Sequence, residues 1–289
     1  MTLLQTQTHG WLRLSFEQVT GQTIVRKCEQ QPPLRMIRAF PIGHGGTLVH
    51  LHNVSGGILG GDYLELEVLV GPNAYAQLTS TGATRLYRSR DTHSENVANQ
   101  QSLIKIAQNG LLEFVPDQLI PFAGSCYRQQ TNIELAEGAG LFWWEVVAPG
   151  REASGEVFEY ALLDSNLKIT TTDHKPIVLE RSRLEPRRKP LAVLARLGCY
   201  HYYANFYICR VGVEAKCWQA LENELAILAQ QLSTGGQTLW SVSTLVCDGL
   251  VVRALSQHSR TIMSGLPLFW KAAKRELYQQ EVELPRKIY

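Results

Sequence analysis

Five carboxylates stand where charge is expensive. Asp62, Glu113, Asp117, Glu145 and Glu156 each fall at the end of a strand-like run or among strongly apolar neighbours, as in Leu141-Phe142-Trp143-Trp144-Glu145-Val146-Val147. An ionised carboxylate in a dry interior is too costly to keep, so such a group neutralises, pairs with a base or borders water. Two readings stay open on these residues alone: ion pairs with arginines such as Arg85, Arg88 and Arg151, or a hydrated path or interface lined with acids. A third use of two acids is general acid and base chemistry on a glycosidic bond, with Asp117 and Glu145 as the pair. That β-rich carbohydrate-active enzyme is the rival function, and it would need aromatic sugar platforms and would turn over unaided.

His50 and His52 lie two apart in a strand-like segment, which predicts side chains on one face and a chance of chelating a metal. Two histidines alone are weak evidence, and a histidine beside a surface loop is the plainer reading. No H-E-x-x-H, EF-hand loop or G-x-S-x-G elbow occurs, which removes the common metalloprotease, calcium and hydrolase readings. The segment Gly56-Gly57-Ile58-Leu59-Gly60-Gly61-Asp62 lacks the spacing of a phosphate loop and precedes a strand rather than a helix. Its glycines read as tight turns or close backbone approach. The six cysteines form no C-x-x-C pair, so they read mostly as small buried hydrophobes.

The elements that must position these groups are strands. In Asp62 to Val70, Leu64, Leu66, Val68 and Val70 share one face and Glu65 and Glu67 the other. Similar alternation marks Leu12 to Phe16, Tyr127 to Leu135 and Asn166 to Thr172. Turn signals punctuate them at Gly71-Pro72-Asn73, Asn109-Gly110, Glu137-Gly138-Ala139-Gly140 and Asp164-Ser165-Asn166. Helical period appears late, with Trp218, Leu221, Leu225, Leu228 and Leu232 spaced for one amphipathic helix from Val213 to Leu232. A second helix is expected to begin near Pro267 and run through Phe269, Trp270, Ala273 and Leu277. No repeated strand–helix–strand rhythm supports a doubly wound nucleotide fold.

The chain has 289 residues, 45% apolar and 19% charged, enough to bury a large core, and no Pro/Ser/Gly-rich linker divides it. Residues 1–289 therefore read as a single unit. Lys and Arg total 28 against 26 acids, which offers no electrostatic footprint for nucleic acid. The one dense basic stretch, Arg181 to Lys189, is broken by Leu184, Glu185 and Pro186, and reads as a solvated loop or strand end rather than a phosphate site. No signal-like start or membrane-length apolar run is present, so a cytoplasmic protein away from membranes is expected.

Taken together, the segments resemble one family. Gly56 to Ser89 is similar to the signature of the UreD (UreH) urease accessory proteins, with Gly-Gly-x-x-Gly-Gly-Asp, an acidic strand, Val-Gly-Pro, a Thr-rich strand and Ala-Thr-x-x-Tyr-Arg-Ser. Leu112 to Ser125 resembles the family's Glu-x-x-Pro-Asp-x-x-Ile-Pro-Phe segment, and Glu145 to Phe158 its Pro-Gly-Arg-x-x-x-Gly-Glu segment. The likeness extends to Asp248 to Ala254, to Trp270 and to the Leu-Pro-Arg ending at Arg286. Several spaced motifs in order, over nearly the whole chain, are more specific than any one.

The resemblance implies a mainly β, stacked-strand, β-helix-like fold with two amphipathic helices toward the C-terminus. It also implies a scaffold without catalytic turnover that helps insert nickel into apo-urease. Such a scaffold binds urease and a UreF-type protein, and a UreG-type GTPase joins through UreF. No cofactor would be tightly held, and Ni2+ would pass in transit. The carried-over residues are Asp62, Glu145 and Glu180 as candidate transient nickel ligands, with Thr79, Ser80, Thr84, Arg151 and Glu156 as polar neighbours. Dispersed carboxylates suit a conduit because oxygen ligands release a cation more readily than a closed His/Cys cage does. His50 and His52 fall outside the family pattern and stay unassigned.

Overall fold

The computed structural model describes residues 8–88, 96–281, 283 and 284. Ser89 of the glycine-rich signature and Pro285 and Arg286 of the ending lie outside them, as do residues 1–7.

The chain coils between two stacked sheets. β1 (His9–Val19) and β2 (Gln22–Gln31) form a hairpin in the first sheet, and β3 (Leu34–Ile42) and β4 (Gly46–Asn53) form one in the second. The chain then alternates between the sheets. β5 (Tyr63–Val70) lies in the first and β6 (Tyr75–Ser80) in the second; after the short β7 (Thr84–Leu86) come β8 (Ala98–Ile106) and β9 (Leu111–Phe114). After the short β10 (Leu119–Pro121), β11 (Cys126–Leu135) and β12 (Gly140–Val147) repeat the step, and β13 (Leu162–Thr171) returns to the first sheet. Within each sheet these successive strands pair in parallel, which is the expected β-helix-like coil.

Antiparallel elements close the coil: β14 (Pro176–Leu184) on the first sheet, and β15 (Tyr202–Arg210), β16 (Thr238–Thr244) and β17 (Gly249–Ser256) on the second. Helices α1 (Ala215–Leu232) and α2 (Ser259–Tyr278) cover the outer face of the second sheet. Among the described residues the first sheet has seven strands and the second ten, and no helix is long and apolar enough to cross a membrane.

The turn chemistry explains the coil. Asn73 and Asn109 adopt φ of 56° and 54°, and Gly138 φ of 70°, in three successive turns. The turns stack: the Asn73 amide donates to the Gln108 carbonyl at 3.0 Å and the Asn109 amide to that of Glu137 at 3.1 Å. Asparagine reaches the left-handed conformation in the first two turns, but a Cβ on Gly138 would sit 2.1 Å from Asn109 Oδ1, so the third turn needs glycine for room.

Period-two alternation then builds two cores. Leu14, Val68, Ile104 and Ile133 of the first sheet meet Leu78, Leu112, Leu141 and Trp143 of the second. The outer face of the second sheet, with Phe142, Phe206 and Val252, meets Leu221 and Leu225 of α1 and Phe269 and Trp270 of α2. Each such side chain removed from water contributes about 1.5–3 kcal/mol.

Three sequence expectations change. Asp164-Ser165-Asn166 is not a turn but the interior of β13, because the sheet supplies partners for all three: each pairs across to β14, and Asp164 is held by arginines. α2 starts at Ser259, with Pro267 inside it, because Ile262 and Leu266 extend the buried stripe upstream and tertiary packing overrides the local cost of proline. Of the cysteines only Cys209 is fully buried, while Cys28 and Cys199 are exposed.

Candidate functional site

A polar seam interrupts the apolar filling between the sheets. Inward positions of the first sheet that alternation alone would fill with aliphatics carry Gln100, Tyr127, Gln129 and Ser165. The second sheet answers with Glu145, whose neighbour across the ladder is Asn205. The Gln129 amide donates to Glu145 Oε1 at 2.9 Å. Burial pushes the Glu145 carboxyl above the usual carboxylate range, the Trp143 indole and the Gln129 amide oppose the rise, and the nearby Glu180 charge adds to it.

From Glu145 the polar groups continue outward. Asn205 donates to Glu180 Oε1 at 3.2 Å, while the Tyr207 hydroxyl at 2.6 Å and Arg253 at 2.7 Å reach Oε2. Glu180 is about a quarter exposed and Arg253 half exposed, so this end of the seam meets solvent at an ion pair. The Tyr207 phenol is pushed up by burial and by its bond to Glu180.

In the other direction, Glu145 lines a cavity of about 100 Å3 that shares Thr84, Gln100, Phe114 and Pro116 with a larger one of about 310 Å3. The larger cavity reaches Gly56, Gly57, His52, Ser80 and Arg85. The glycine-rich loop is its wall. Gly57 packs so close to the Tyr87 ring and the Arg85 carbonyl that a Cβ would lie 2.4 and 2.6 Å from them, and the Ile58 amide donates to the Arg85 carbonyl at 2.8 Å.

The structure thus brings Glu145 and Glu180 together and sets Ser80 and Thr84 along the cavities. Ser80 and Asp117 hold each other, the Asp117 amide donating to Ser80 Oγ at 2.8 Å. Asp62 lies elsewhere. It is buried and accepts the Leu59 amide at 2.9 Å, which ties down the glycine-rich loop, but it lines neither cavity. Its carboxyl is raised by burial, against the lowering effect of the Leu59 and Thr8 donors.

Thr79 points the other way along β6: its hydroxyl donates to the Val115 carbonyl at 2.7 Å, and it lines a cleft beneath α2. Arg151 and Glu156 pair with each other through two contacts, Arg151 also covers the Phe122 ring, and the carboxyl of Glu156 is lowered by that guanidinium.

His50 and His52 part company. His50 lines the cleft beneath α2, whereas His52 lines the large cavity and bonds Thr81 Oγ1 at 2.7 Å. Among the described residues, no three His, Cys, Asp or Glu side chains gather to hold an ion.

Sequence reasoning missed the amides and the counter-ion. Gln129 and Asn205 are polar at inward positions of apolar strands, a signal that alternation makes visible once both faces of a strand are considered. Arg253 gives no such signal, because only the closing of β14 over β17 places it at Glu180.

Two stacked, coiled sheets with a helical cover and an acidic, polar seam between the sheets place the protein in a mainly β, β-helix-like class. Comparison with known proteins gives its family. The UreD urease accessory protein family model matches residues 8–288. A urease accessory protein UreD from Herpetosiphon aurantiacus is 45% identical over 97% of this chain and 96% of its own length. That from Halalkalibacterium halodurans is 30% identical over 90% of this chain and 92% of its own, and that from Photorhabdus laumondii 27% identical over 93% and 82%. The chain belongs to the UreD family of urease accessory proteins. Its role is therefore accessory rather than enzymatic, and the carbohydrate-enzyme reading of Asp117 and Glu145 falls away.

Proposed function

We propose that this chain is the cytoplasmic scaffold through which Ni2+ is inserted into apo-urease. In this reading it binds urease and a UreF-type protein, a UreG-type GTPase joins through UreF, and nucleic acid and membranes play no part. Nickel is cargo and no cofactor is tightly bound. The observation that carries the reading is the seam in which Glu145, opposite Asn205 in the ladder, and Glu180, which accepts from that Asn205, interrupt a mostly apolar sandwich.

The chemistry suits transit. A buried carboxylate with a raised pKa holds a proton readily, so an arriving divalent cation displaces a proton and leaves without breaking a soft-ligand cage. Amide and hydroxyl oxygens of Gln129, Asn205, Ser80 and Thr84 offer weak neutral ligands on the way. At Glu180 the cation competes with Arg253 for the carboxylate. Asp62 serves the same reading indirectly, by fixing the loop that walls the larger cavity.

The test is to produce urease with its other accessory proteins at limiting nickel, with and without this chain. Urease left largely nickel-free in its absence supports the reading, and full loading without it removes the reading. The scaffold should also be poorly soluble alone and rescued by the UreF-type partner, whose surface would cover its apolar face.

A further inference from the structure

The basic stretch that reads as a solvated strand end is more concentrated in three dimensions than in sequence. Residues 181–196 hold six basic residues and one acid, Glu185, in a chain whose net charge is only +2. On the outward face of the first sheet, Arg128, Arg181 and Arg183 converge on Asp164 at 3.4, 3.6 and 3.6 Å. The Asp164 side chain is 4% exposed, whereas the three arginines are 45–66% exposed. Arg183 and Arg188 in turn share Glu185, at 3.0 and 3.3 Å. Two carboxylates therefore face four guanidiniums, and a net positive corner remains open to solvent.

The same segment carries an apolar tip. Leu191 is 2% exposed and anchors residues 186–200 against Tyr160 and Leu163. The Arg196 and Gly198 amides both donate to the Val193 carbonyl at 2.9 Å, and the Leu197 amide to that of Leu191 at 3.1 Å. These bonds hold Val193 and Leu194 on an ordered turn with 42% and 97% of their surface exposed. A lone exposed leucine is ordinary. A leucine held on a hydrogen-bonded turn, in a segment that also carries Arg187, Arg188 and Arg196, has the composition of an interface anchor, where little ordering entropy is left to lose.

We propose that this corner docks an acidic segment of a partner protein within the urease activation complex, with Leu194 seated in an apolar notch of the partner. The proposal rests on the scaffold reading above. The partner's carboxylates face Arg187, Arg188 and the exposed edges of the arginines around Asp164, and complementary charge sets the register and the rate of encounter. A protein fits better than a polyanion because the apolar tip gives a phosphate backbone nothing to contact.

The test uses the full chain and two purified probes, apo-urease and the UreF-type protein. The variant R187E/R188E/L194D leaves Arg128, Arg181 and Arg183 in place, so Asp164 keeps its partners; L194D alone is the second variant should the triple one melt early. We expect wild-type affinity for one probe to fall with added salt, and the variant to bind that probe about tenfold or more weakly while binding the other normally. Unchanged affinity for both probes overturns the proposal. A variant that loses only binding to phosphatidylserine vesicles or to single-stranded DNA overturns it as well. A wild-type chain that binds neither probe removes the scaffold reading and this docking with it.

Discussion

Lys274 of α2 and Glu113 of β9 meet with Nζ 3.0 Å from Oε1, and neither side chain is exposed to solvent. The Gln77 amide donates to the other carboxylate oxygen at 2.6 Å, and the Tyr75 and Tyr278 rings lie 4.2 and 5.0 Å from the ammonium. A cation that far inside is held only because its counter-ion is already there. Lys274→Met should therefore strand the Glu113 charge and destabilise the fold by about 3–5 kcal/mol, whereas Glu113→Gln with Lys274→Met should recover much of the loss. Urea unfolding of the two variants checks this, and a single variant that loses less than about 1 kcal/mol contradicts it.

Glu145 makes an opposite prediction. Its carboxyl titrates above the usual range in the folded chain. A raised carboxylate stabilises the fold below its unfolded pKa of about 4.3, and that contribution is lost as pH rises through the folded value. Glu145→Gln keeps the protonated shape at every pH. Its melting temperature should match wild type in acid and exceed it by about pH 8. A variant that melts below wild type at that pH counts against the buried, raised carboxylate.

Gly138 tests the coil. Its φ of 70° and the 2.1 Å approach of a would-be Cβ to Asn109 Oδ1 leave no room for a side chain. Gly138→Ala should cost more than about 1 kcal/mol, well above the effect of the same change at Gly82, where φ is not positive and nothing lies within 4 Å. Equal melting temperatures for the two variants would contradict the stacked-turn account.

Asp164 separates structure from transport. It neutralises part of an arginine trio on the outer face, away from the seam. Asp164→Asn should lower stability by about 1–3 kcal/mol through lost charged hydrogen bonds, and nickel delivery should fall no further than the stability loss requires. Thermal melts beside activation assays decide it; a delivery defect with unchanged stability would place Asp164 in the path.

Local pattern made the coil legible, because its causes are local. The alternation in Asp62 to Val70 and the turns at Asn73, Asn109 and Gly138 report the conformation of the residues that carry them. What stayed hidden depends on partners distant in sequence. Asp164-Ser165-Asn166 has turn composition, and only β14 and Arg128 make it a strand. The stripe of α2 runs through Pro267 because the sheet beneath it accepts Ile262. Glu180 finds Arg253 across 73 residues, so the ion pair at the seam's outer end cannot be read from either neighbourhood. The resemblance pointed to Glu145 and Glu180, but not to the amides of Gln129 and Asn205 that join them to their surroundings.

The most direct measurement of the central claim is urease activation at limiting nickel with Glu145→Gln and Glu180→Gln, beside melts and pull-downs of each variant. Glu145→Gln leaves a near-isosteric acceptor for Gln129, and the half-exposed Arg253 pair contributes at most about 1 kcal/mol, so both variants should fold and keep their partners. The account predicts activation slowed in both, and slowed further in the double variant, with stability and complexes preserved. Normal activation by both would contradict a nickel path through this seam.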